Sequence, residues 1–128
     1  MAVLYPEMRT VDDYIRYVVR LRTAMGPHLS DLLRAGLSVV LDWPANTVAT
    51  RAWMRGIAEG ADATPRLYWL DVPDEICLKR LRARNREGLH PYRMTRGQFE
   101  EITRYFEPPS EAEGVAIERH VHPSSPRP

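Results

Sequence analysis

Apolar residues recur at Tyr14, Val18, Leu21, Met25, Leu29 and Leu32, stepping by three or four. That spacing predicts a helix with one buried stripe. Ile15, Val19 and Leu33 widen the stripe, as a helix packed on a sheet requires. Thr10, with Asp13 three positions on, predicts a capping box at its start. Gly26-Pro27 interrupts the pattern, because proline removes a donor and clashes one turn back. A kinked helix, or two in tandem ending at Gly36, is expected. "LSVVL", from Leu37 to Leu41, is then dense rather than alternating, which predicts a strand buried on both faces.

Asn46 or Thr47 predicts the cap of a helix through about Glu59, with Ala49, Ala52, Trp53 and Ile57 facing inward. Arg66 to Val72 reads as a second strand, and Pro73 opens a helix that runs to about Arg86 and stops at Gly88. "GLHPYRM" is an irregular basic loop. Thr95 with Gln98 caps a further helix carrying Phe99, Ile102 and Phe106, stopped by Pro108-Pro109. Val115 to Glu118 predicts a short last strand, and His120 to Pro128 a frayed tail. Helices alternating with strands predict an α/β fold, a parallel sheet with helices on both faces. Ligands of such sheets bind beyond the carboxyl ends of the strands, where Asp42 and Asp71 fall.

Composition narrows the picture in three places. A chain of 128 residues makes one domain. A net charge of +1 gives no general reason to expect nucleic acid or an anionic membrane. The basic residues are seventeen arginines against Lys79 alone, which reflects either a GC-rich coding sequence or planar recognition of phosphate and carboxylate. Cys77 has no partner for a disulfide and sits among Ile76, Leu78 and Leu81, the setting of a packed thiol. No apolar run is long enough to span a membrane and no signal peptide is visible, so the expected location is cytoplasmic.

The candidate chemistry lies at the strand ends and on one helix. Asp42 could coordinate Mg²⁺ or accept a proton from an attacking hydroxyl, or it could simply cap the following turn. Arg80 and Arg84 stand four apart on one helical face, a spacing that grips a polyphosphate or decorates a solvated surface. Lys79, Arg82 and Arg86 widen the positive face, and Arg93 and Arg96 follow it. Asn46, Thr47 and Arg51 form a polar cluster after the first strand, readable also as helix capping with a surface arginine. His90 stands in the basic loop, and His120 with His122 lacks a third metal ligand. Aromatic interleaving along the basic helix is thin, so nucleic acid is not expected.

"VVLDWPANT", "LDVPDEICLKRLRARN" and "ITRYFEPPSEAEG" together resemble the AAA-type P-loop kinase-like proteins, relatives of the zeta-toxin and chloramphenicol phosphotransferase group. The resemblance runs from Pro6 to His120. It implies a three-layer α-β-α P-loop NTPase-like parallel sheet that binds ATP and Mg²⁺ and transfers a phosphoryl group to a small-molecule hydroxyl. It places Asp42 in the substrate and Mg²⁺ region as a catalytic and metal-binding residue, Arg80 near the nucleotide, and Arg84 as a catalytic lid arginine near the transferred phosphate. Asn46 and Arg51 would face the acceptor.

One departure is plain. The phosphate-binding signature G-x-x-x-x-G-K-[ST] needs a lysine, and Lys79 has no glycine-rich turn before it. In the family, that loop and its strand precede the matching region, so "MAVLYPEM" reads as a member entered downstream of its own start. The expected domain is residues 1–120, the C-terminal portion of a kinase-like unit, with 121–128 a disordered tail. The absent strand would lie between Ser38–Leu41 and Arg66–Leu70. Its loss exposes two apolar edges or forces them together, and exposed edges favour self-association. Weak or absent ATP turnover follows, with a non-catalytic module that binds an anion or a partner through the arginine helix as the alternative.

Overall fold

The computed structural model describes residues 10–89 and 93–123. Its elements are α1 (Val11–Arg34), α2 (Val48–Gly60), β1 (Arg66–Asp71), α3 (Asp74–Glu87), α4 (Arg96–Arg104) and β2 (Ala116–Val121), with a single 3₁₀ turn at Glu111–Glu113. The fold is α/β. β1 and β2 pair in parallel, Leu67 beside Ile117 and Trp69 beside Arg119, with α3 and α4 in the connection between them.

Local chemistry sets most of the boundaries. The Thr10 hydroxyl accepts from the Asp13 N–H, and the Asp13 carboxylate accepts from the Thr10 N–H, closing the capping box of α1. Thr47 caps α2 and Thr95 with Gln98 caps α4. Gly88 ends α3 at φ +67, a conformation that costs glycine nothing. α1 runs through Pro27 as one helix rather than as two in tandem. Pro27 lies on the exposed side, while Gly26 and Leu29 on either side of it are buried. The surrounding turns are held by packing on α2, where Gly26 brings the backbone close to the Trp53 ring. The Arg22 guanidinium lies 5.6 Å over that ring and donates to the Thr50 hydroxyl at 2.8 Å.

Three expectations are corrected. Residues 37–41 form no strand: a strand needs a neighbouring ladder, and apart from the Leu37 N–H donating to the Leu32 carbonyl at the end of α1, no backbone in the described residues bonds to this segment. Instead Val40 is 92% exposed. β2 extends past Glu118 to Val121, and the His122 N–H donates to the Asp71 carbonyl, because the parallel partner β1 gives that backbone its acceptors. On α2 the inward face carries Thr50, Arg51 and Ala58, while Ala49 and Ala52 are exposed. Trp53 and Ile57 keep their expected place, packed toward Gly26 of α1. The residues "MAVLYPEM", His90, Tyr92 and 124–128 lie outside the described residues.

The centre of the molecule is open. α1 and α2 pack together, and β1 pairs with β2, but between these two units lies a cavity of about 1470 Å³. Residues 38–46 line one side of it and β1 the other. β2 occupies one edge of β1; the second edge has no partner among the described residues. The buried apolar set is correspondingly small: Val11, Tyr17, Val18, Leu29, Ala58 and Leu81.

Candidate functional site

Asp42 is exposed on the cavity wall, following the unpaired 37–41 segment. Trp43, next in sequence, meets Trp53 edge-to-face at 6.0 Å. The turn beyond is tied down from three directions. The Ala45 carbonyl accepts from Arg51 Nη1 at 2.8 Å, the Asn46 carbonyl accepts from the Glu107 N–H at 2.8 Å, and the Val48 N–H donates to Glu107 Oε2 at 2.6 Å. Asn46 lines the cavity beside Asp42.

Arg51 itself is 4% exposed. Its Nε donates to Glu113 Oε1 at 2.7 Å and its Nη2 to Oε2 at 3.3 Å, a two-pronged ion pair. Glu113 also accepts the Ser110 N–H at 2.8 Å, and its backbone carbonyl accepts from Arg55 Nη1. The Arg51 hydrogen bond holds the Glu113 carboxyl below the usual carboxylate range; burial opposes this, and Ser110 and Arg55 reinforce it. All three guanidinium nitrogens of Arg51 are thus engaged within the fold.

The second strand-end carboxylate, Asp71, is also committed. It accepts from Arg119 Nε at 2.9 Å and from Arg119 Nη2, and that guanidinium lies 4.8 Å over the Trp69 ring. Asp42 has no such partner among the described residues, which leaves it as the available carboxylate of the pair.

Across the cavity stand Arg80 and Arg84 of α3, both exposed and both on its wall. Neither they nor Lys79, Arg82 and Arg86 form an ion pair among the described residues. Acidic Asp74 and Glu75 open α3 and Arg84 and Arg86 close it, an order that suits the helix dipole whatever its function. Beyond α3, Asn85 Nδ2 donates to the Met94 carbonyl at 2.7 Å and fixes the return of the chain. Cys77 is half-buried, and burial, then Asp74, pushes its thiol up; it is a protonated packing group at neutral pH. His120 bonds Glu118 and stacks near Tyr68.

Asp42, Asn46, Arg51, Arg80 and Arg84 thus all line one large cavity, Arg51 as a buried part of its wall. Sequence reasoning missed Glu107 and Glu113. The available signal was Ser110-x-x-Glu113, a capping spacing inside the motif "FEPPSEAEG". Among the described residues no three His, Cys, Asp or Glu side chains converge as a metal site, and no helix is long and apolar enough to cross a membrane.

A family model described as an AAA domain matches residues 3–109. No curated protein and no solved structure shows a significant match.

Proposed function

The chain belongs to the AAA-domain family, a P-loop kinase-like group of nucleotide-binding proteins, and from that premise we propose that it carries the acceptor side and the arginine side of a phosphotransferase site. The observation that supports this reading is that Asp42, Arg80 and Arg84 all line the same large open cavity. Asp42, unpaired, is the carboxylate that would draw the proton from an acceptor hydroxyl. Arg80 would hold nucleotide phosphate, and Arg84 would offset charge as the phosphoryl group moves. Asn46 faces the acceptor, a small molecule bearing a hydroxyl. Arg51, each of whose three nitrogens bonds within the fold, holds the loop that carries Asn46.

The residues present do not fit a complete ATP and Mg²⁺ site. Backbone N–H groups of a glycine-rich turn are needed to cradle phosphates, and the 128 residues contain no G-x-x-x-x-G-K-[ST]. The left-handed glycines Gly36, Gly88 and Gly114 belong to helix and turn ends, not to a strand-to-helix loop. Among the described residues, no three His, Cys, Asp or Glu side chains gather around Asp42 to hold a metal. ATP turnover by these residues is therefore expected near background. Purified protein assayed for Mg²⁺-dependent ATP hydrolysis tests this: robust turnover abolished by Arg84→Ala would overturn it.

A second reading rests on the unpaired cations of α3. These would bind an anionic ligand or partner without catalysis. Calorimetry with ATP, ADP and tripolyphosphate separates the two, since equal weak binding to all three favours plain anion binding. The open edges of β1 and of residues 38–41 also support self-association, which sedimentation at two concentrations would reveal.

A further inference from the structure

A loop that presents a reactive carboxylate is normally anchored by the strand it leaves. Here residues 38–41 make no ladder, so Asp42 is not held from that side. The anchoring comes from the other direction. We propose that Glu107 and Glu113, the two carboxylates of "FEPPSEAEG", are positioning residues that fix the Asp42 loop. The proposal rests on the reading of Asp42 as the acceptor-side carboxylate.

Glu107 acts directly. Its carboxylate receives the Val48 N–H, one of the first-turn donors of α2 that the helix cannot satisfy itself, and its own N–H holds the Asn46 carbonyl. Glu113 acts at one remove: it orients Arg51, and Arg51 holds the Ala45 carbonyl. These contacts fasten Ala45, Asn46 and Val48 in one short stretch. Pro44 passes the constraint back toward Asp42, because its ring fixes its own φ and restricts Trp43 to extended backbone. The Trp43 ring against Trp53 adds a third support. Only the Trp43–Pro44 dipeptide separates Asp42 from the fastened stretch, and both of its residues have restricted backbones.

Glu107 is exposed, so its replacement leaves the core untouched and tests the idea cleanly. Amide hydrogen exchange at Val48 and the indole N–H resonance of Trp43 are followed in the intact chain. Glu107→Ala should speed Val48 exchange about tenfold, the factor a hydrogen bond to a charged group is worth, and should shift the Trp43 resonance. Glu107→Gln, which keeps an acceptor oxygen, should restore most of the protection. Glu113→Gln should shift Trp43 while leaving the Glu107 contact to Val48 intact. Amides in the middle of α1 should exchange as in the parent protein throughout. Equal acceleration in α1 and at Val48, or an unmoved Trp43 resonance in both Glu107→Ala and Glu113→Gln, would overturn the proposal. Neither readout uses nucleotide or turnover. Failure of the phosphotransferase reading would leave these shifts in place, and unmoved resonances would leave that reading intact.

Discussion

Two regions flank the cavity and could hardly differ more. On one side Arg51, Arg55, Glu107 and Glu113 knot α2 to the segment between α4 and β2, and every nitrogen of the buried Arg51 guanidinium is accounted for. On the other side, β1 and residues 38–41 face each other across open space, with Val40 at 92% and Leu70 at 71% exposure. Apolar side chains lie in solvent where the pattern calls for a core, and a buried charge pair holds where the pattern called for a surface. The contrast teaches that cohesion here does not follow hydrophobicity. A polar knot is closed because all its partners are present, and an apolar flank stays open because a strand edge accepts only another strand.

The sharpest way to break the comparison is Glu113→Ala. It leaves a buried guanidinium uncompensated, and the expected loss is about 3–5 kcal/mol, read by urea denaturation. A domain with so small a buried apolar set should then be largely unfolded. Arg51→Met combined with Glu113→Leu should recover most of that loss, since it removes both charges. If the single and double variants were equally unstable, the ion pair would not be what closes the knot.

Acid should approach the same state in the parent protein. Arg51 depresses the Glu113 pKa in the fold, so its stabilisation is full above the unfolded carboxyl range, near 4.5, and is lost as pH falls through the lower folded value. Denaturation midpoints should decline below about pH 4.5, and Glu113→Gln should flatten that slope. Next in size is Gly114→Ala. Gly114 holds φ +70, and an added Cβ would lie 3.0 Å from Arg55 Nη1, itself bonded in the knot. A left-handed alanine costs about 1–2 kcal/mol, and Gly114→Ala should exceed Gly88→Ala, which shares the conformation in open space. Thermal melts of the two variants make the comparison. The smallest effect belongs to the open flank. Val40→Lys and Leu70→Lys should each change stability by less than about 0.5 kcal/mol, while moving sedimentation toward monomer. A large loss would show that the flank is closed in solution.

Helix ends were legible because their chemistry is local: Thr10, Thr47, Thr95 and Gly88 act within a turn of where they stand. The segment 37–41 was not, because "LSVVL" states an affinity for burial and says nothing of whether a ladder partner lies beside it. The burial of Arg51 was not legible, because Glu113, the partner that holds it, lies 62 residues away. Asp42, Arg80 and Arg84 were legible as types, and the cavity that gathers them needed three dimensions.

The knot also sets an order of events during synthesis. Val48 and Arg51 wait for Glu107 and Glu113, which lie 59 and 62 residues downstream. On a chain leaving the ribosome, α1 and α2 form early from local contacts, while the loop between them has nothing to fasten it. Translation must pass Glu113 before the Asp42 turn acquires all its fastenings, so a product stopped earlier carries both helices without them.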